Sequence, residues 1–144
     1  MDIKKEPTIL YHFTCEYLLR GILKKRCLTT TRSNFSFESP DAYPVVWLTS
    51  SQTPENMGLL FDNNMPDDLN KTHIRISIRK KSYMKLWDEW VDEKGIDKQM
   101  KQVLIASASA EDTYKTWYVS QSIIPINDIL VIENIKTGKI YYEK

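Results

Sequence analysis

The chain has 144 residues, 42% of them hydrophobic and 27% charged, which is ordinary globular usage, excludes a disordered polymer and fits one domain over 1–144. Twenty Lys and Arg against nineteen Asp and Glu leave a net charge of +1, which excludes a strongly basic nucleic-acid coat and an acidic mimic of nucleic acid. The four glycines, at 21, 58, 95 and 138, stand too far apart for a phosphate loop or a dinucleotide fingerprint.

Residues 8–14, TILYHFT, are β-branched and aromatic and predict a strand. Residues 15–25 predict a helix, capped by Thr14, with Leu18, Leu19, Ile22 and Leu23 on its apolar face. A polar loop over 29–43 leads to a strand at 44–50, PVVWLTS. The stretch 51–71 reads as a second loop, pinned by the apolar MGLLF at 57–61. In THIRISI, at 72–78, Ile74, Ile76 and Ile78 face the core, and His73, Arg75 and Ser77 face solvent. Residues 82–93 predict a helix with Met84, Trp87 and Val91 on one stripe, ended by Gly95. A further helix over 96–110 would use Met100, Val103, Leu104 and Ala108. TYKTWYVS at 113–120 predicts a strand, and a connector with Pro125 leads to another at 128–134. KTGK at 136–139 predicts the turn of a closing hairpin. The sum is an α+β domain: a mainly antiparallel sheet with about six strands and three helices.

Cys15 and Cys27 form no CxxC pair and read as small buried hydrophobes rather than zinc ligands. No apolar run approaches the roughly 20 residues of a membrane span, and MDIKKEPTIL has no signal-length apolar core. The expectation is a cytoplasmic protein that makes no membrane contact.

Candidate chemistry falls in four places. His12-Phe13-Thr14 ends a strand just before a helix, where a His and a Thr on one face can meet a sugar hydroxyl or a phosphate. Trp47, Thr49 and Ser50 pair a flat ring with nearby hydroxyls that could hold a planar ligand. Arg75, on the polar side of its strand beside His73, can grip a phosphate through two N–H groups. Trp117 and Ser120 lie on the last aromatic strand. Each has a plain structural alternative in core packing, helix capping or a solvated strand face. The basic groups Lys24-Lys25-Arg26 and Arg79-Lys80-Lys81 read mainly as solvated element ends, with a phosphate patch as the minor reading.

The order of these motifs is informative. A His-x-Thr strand runs into a helix with Gly21-Ile22, an aromatic-Leu-Thr-Ser strand follows, and a later aromatic strand leads to Ile124-Pro125 and Ile-Leu-Val-Ile-Glu. From about residue 9 to 133 this resembles the small ADP-ribosyltransferase-like fold of bacterial and phage proteins, and more distantly DNA-targeting ADP-ribosyltransferase toxins and RNA 2′-phosphotransferases. The resemblance implies a split sheet around a nicotinamide pocket, NAD as substrate, and transfer of ADP-ribose to a macromolecular acceptor in phage–host or defence conflict. It implies that His12, with Thr14 beside it, meets the ribose and that Trp47 stacks on nicotinamide. Arg75 and Arg32 would serve the phosphates, and Arg75 would also take the catalytic part that basic residues play in the RNA 2′-phosphotransferases. The family's acid would fall in Tyr114-Lys115-Thr116-Trp117-Tyr118, which has none; Glu111 and Asp112 lie upstream and Glu133 on the next strand. Two alternatives stay open. One is a module of the same fold that binds a nucleotide or a host protein without turnover. The other is a two-histidine phosphoesterase, for which His12-Phe13-Thr14 fits and His73-Ile74-Arg75 lacks the hydroxyl.

Overall fold

The computed structural model describes residues 6–30, 44–54, 66–95, 98–107 and 112–144. Its centre is the pair of strands with the clearest alternation. β1 (Ile9–Thr14) and β4 (Ile74–Arg79) run antiparallel along their whole length, with Leu10 opposite Ile78, His12 opposite Ile76 and Thr14 opposite Ile74. Residues directly opposite share a face, so Leu10, His12 and Thr14 lie on the same side as the three isoleucines. β8 (Ile129–Asn134) adds to the far edge of β4, and β9 (Ile140–Glu143) closes the expected hairpin beyond it. On the other side β3 (Val46–Thr49), β6 (Trp117–Ser120) and β5 (Met84–Leu86) continue the sheet, giving the order β5-β6-β3-β1-β4-β8-β9. A separate two-stranded ribbon joins β2 (Cys27–Leu28) to β7 (Ile124–Pro125). Every pairing is antiparallel.

Both faces of the sheet are covered. One carries Leu10, Val46, Leu48, Ile74, Ile76, Ile78 and Ile132, packed under Leu19 of helix α1 (Glu16–Lys25) and under Leu28 and Ile124 of the ribbon. The other carries Val45, Trp117 and Val119 against Trp87, Trp90 and Val91 of helix α2 (Trp87–Glu93), with Leu104 and Ile105 of helix α3 (Lys98–Ser107) packed at the margin. No described helix is long and apolar enough to cross a membrane.

Several expectations change. The residue at the α1 cap position is Cys15, with extended φ and ψ, and Thr14 remains in β1, so the expected Thr14 cap is corrected. Of the four expected apolar residues on α1, Leu19 is buried and Ile22 partly so, whereas Leu18 and Leu23 are exposed. Residues 84–86 are strand rather than helix, because the open edge of β6 offers them ladder hydrogen bonds, with Met84 opposite Ser120 and Leu86 opposite Tyr118. Residues 113–116 form a 3-10 turn instead of strand: the Thr116 hydroxyl donates to Thr113 O at 2.8 Å, the local competition that threonine brings to a strand. On α3, Leu104 packs against the core as expected, whereas Val103 is 64% exposed. MGLLF, Ala108 and the Met100 side chain fall outside the described residues. Gly95 does end α2 in the left-handed region, at φ 67°, where glycine carries no Cβ penalty.

One polar cluster ties the ends of the chain together. Asn134 Nδ2 donates to Glu16 Oε1 at 2.9 Å, the Tyr141 hydroxyl donates to the same oxygen, and Asn134 Oδ1 accepts from Lys136 N and Thr137 N. Desolvation pushes the Glu16 carboxyl up, but the hydrogen bonds from Tyr141 and Asn134, together with the charges of Lys139 and Arg20, outweigh it and hold it below its ordinary range. Asn134→Ala removes three hydrogen bonds at a buried site and should cost about 2 kcal/mol in urea unfolding. A loss below about 0.5 kcal/mol would mean that the cluster is only decorative.

Candidate functional site

β1 meets β3 at one residue pair, Tyr11 opposite Thr49, in contrast to the full ladder that joins β1 to β4. Beyond that pair, toward the C-terminal end of β1, the His12 side chain bridges the two strands. Its Nδ1 lies 2.7 Å from Trp47 O. A carbonyl oxygen only accepts, so Nδ1 carries the proton and the neutral ring keeps Nε2 as an acceptor. Burial lowers the imidazole below its ordinary value of 6.5; the bond to Trp47 O opposes this and the nearby Lys71 ammonium adds to it. His12 is therefore neutral at pH 7.

The Trp47 ring projects from the opposite side of the sheet. It packs 6.3 Å from Trp87 and edge-on to Trp117 at 6.1 Å, and it remains half-buried. His12 thus meets the main chain of Trp47, not its ring, and a slot walled by both side chains on one face is not formed. Trp117 is buried, with its ring 5.0 Å from Trp87. Phe13 is buried on the Trp47 side, opposite Arg75. Thr14 is buried on the His12 side, opposite Ile74.

The hydroxyl residues serve local structure. Thr49 Oγ1 donates to Thr116 Oγ1 at 3.1 Å and accepts from Ser51 N at 3.0 Å. Ser50 N donates to Thr116 O at 2.9 Å. Ser120 is fully buried and its hydroxyl donates to Ser122 O at 2.7 Å, closing a turn. The helix start beside His12 already holds the Glu16 carboxylate in its first turn, which disfavours a second anion there.

Arg75 is committed within the protein. One terminal nitrogen donates to Glu133 Oε1 at 2.8 Å, the other to Gln52 O at 2.8 Å, and its guanidinium sits 5.6 Å from the centre of the Tyr11 ring. Its Nε is buried and makes no hydrogen bond among the described residues. Of the expected carboxylates, Glu133 pairs with Arg75 and Asp112 with Lys115 at 3.2 Å, and Glu111 lies outside the described residues, as does Arg32. His73 is 7% exposed, which corrects its expected place on a solvated strand face. Its backbone bonds explain this: His73 O accepts from Ile135 N at 2.8 Å, drawing the residue under the chain that follows β8.

No protein-family model, curated protein or solved structure matches the chain. The site is accordingly read from its own geometry. Among the described residues no group of three His, Cys, Asp or Glu could hold a metal ion. Gln52 and Tyr11, which position Arg75, carry no motif that would have marked them in the sequence.

Proposed function

We propose that the chain binds NAD at the open end of the β1–β3 junction and transfers its ADP-ribose to a macromolecular acceptor. The observation that supports this is the anchored, neutral His12: Nδ1 is fixed on Trp47 O and the tautomer leaves Nε2 to accept a bond from a ribose hydroxyl. A single residue pair joins the strands there, so a flat ring and a sugar need displace little ladder to enter. The nicotinamide–ribose bond breaks with its electron pair leaving on nicotinamide, and an acceptor nucleophile then bonds to the cationic ribose carbon and gives up its proton. Such a step depends on positioning and on stabilising charge. The reading extends to phage–host or defence conflict, which the resemblance implies.

One observation favours a second reading, a module that holds the dinucleotide or a host protein without turnover. Glu133 and Asp112 are each paired with a cation, and the charge that acts on His12 is that of Lys71. A two-histidine phosphoesterase gains nothing from the buried His73. Purified protein should release nicotinamide from NAD in the presence of nucleic-acid or protein acceptors. Calorimetric binding of NAD or ADP-ribose without release selects the nucleotide-binding module, and neither binding nor release overturns both the transferase and that module.

A further inference from the structure

The other end of β1 carries a feature that the NAD reading does not use. A shallow, solvent-open depression of about 700 Å³ lies where β1 begins and β4 ends, and Arg79, Lys80 and Lys81 line it together with Thr8, Ser82 and Glu6. Three successive basic residues border one hollow, in a chain whose net charge is only +1. The backbone that presents them is fixed: Lys80 N donates to Thr8 O at 2.9 Å, and Lys81 N lies 3.3 Å from Met84 Sδ. The Lys80 ammonium lies 6.0 Å from the centre of the Tyr118 ring, which holds its stem against the sheet.

The charges are poorly answered from within the protein. Lys80 meets Glu6 at 3.7 Å, and Glu6 is 86% exposed. Lys81 meets Asp128 at 3.8 Å, while the other oxygen of that carboxylate accepts from the Tyr83 hydroxyl at 2.9 Å. In each pair one partner is exposed and the separation is long, so each is worth about 1 kcal/mol at most, and a phosphate, singly charged in a strand diester and doubly charged in a terminal monoester, can displace them. Arg79 is exposed and makes no ion pair among the described residues.

We infer that this depression is a phosphate-binding site, taking the phosphate of a nucleotide or of a single nucleic-acid strand. The hollow is open rather than enclosed, which suits a phosphate carried on a larger body. It begins about 10 Å along β1 from His12, and its evidence is independent of the NAD reading.

The test uses a fluorescein-labelled single-stranded DNA of about 12 nucleotides in anisotropy titrations from ~50 to ~200 mM salt, with tripolyphosphate as the competing free phosphate. In R79Q/K81Q, affinity should fall at least about tenfold, and the slope of log affinity against log salt should flatten by about 1.4, the share of two phosphate contacts to a single strand. The charge-keeping R79K/K81R should retain the slope, which separates lost charge from lost fold. DNA binding that tripolyphosphate displaces identifies a strand phosphate; binding of tripolyphosphate alone identifies a free phosphate ester, and both support the site. Unchanged affinity and slope in R79Q/K81Q, or no binding of either probe at the lowest salt, would overturn it. R79Q/K81Q should bind NAD as the wild type does, so failure of one proposal is distinguishable from failure of the other.

Discussion

Trp87→Ala should destabilise the protein by about 3–5 kcal/mol, lowering its melting temperature by roughly 10 °C or more. Trp87 is fully buried, and its ring lies 5.0 Å from Trp117, 6.3 Å from Trp47 and 6.3 Å from Tyr114. The substitution removes one of the four tryptophans on that face and leaves a void that the surrounding tryptophans cannot fill without tilting. Edge-to-face ring pairs add about 0.5–1.5 kcal/mol beyond area burial, and two such neighbours, Trp117 and Tyr114, are lost together with the tilted contact to Trp47. Val103→Ala on α3 is the internal contrast: at 64% exposure it should change stability by no more than about 0.5 kcal/mol. Urea unfolding of both variants, with unchanged slope against denaturant, checks the pair. A Trp87→Ala loss below about 1 kcal/mol would mean that α2 is not packed on the sheet as described.

The strands that the sequence shows plainly are those whose state is set locally. β4 alternates three isoleucines with polar residues, and β1 and β8 carry enough β-branched and aromatic side chains to resemble it. β2, β5 and β7 have two or three residues each, and their state comes from partners far along the chain. Met84 shows the difficulty well. Its spacing to Trp87 and Val91 fits one helical stripe, yet Met84 packs with the isoleucines while Trp87 and Val91 pack on the opposite face. A helix that starts at Trp87, five residues later than expected, reconciles the two, and only the edge of β6 dictates that shift.

The site follows the same logic. His12 stands out in the sequence as a polar residue on an otherwise apolar strand end. Its partner is a main-chain carbonyl 35 residues away, and a carbonyl acceptor leaves no trace in residue identity. Arg75 and Glu133 are 58 residues apart and meet because β4 and β8 place them directly opposite. Alternation within β3 correctly separates Trp47 and Thr49 from Val46 and Leu48. Which of those faces His12 shares depends on the β1–β3 register, and that register rests on Tyr11 opposite Thr49.

Replacing His12 should separate anchoring from recognition. His12→Ala loses the bond to Trp47 O, worth about 1 kcal/mol of stability, and the free acceptor, which should weaken NAD about tenfold. His12→Asn can place its amide N–H near the position of Nδ1, so it should recover much of the stability at neutral pH while binding NAD as poorly as His12→Ala. The pH dependence follows from the lowered imidazole. Burial is the largest cause, the Trp47 bond opposes it, and the folded value lies below 6.5. Between those two values the unfolded chain takes up a proton that the folded one refuses, so stability rises with pH there. The wild type is thus fully stable with respect to this group above 6.5 and loses stability as the pH falls through the folded value. Both variants should lack that decline, leaving only the carboxylate losses at lower pH. Calorimetry with NAD and urea unfolding from pH 5 to 8 would read both effects. Wild-type NAD affinity in both variants would remove His12 from the ligand site, and a wild-type decline in His12→Ala would assign the pH dependence to another group.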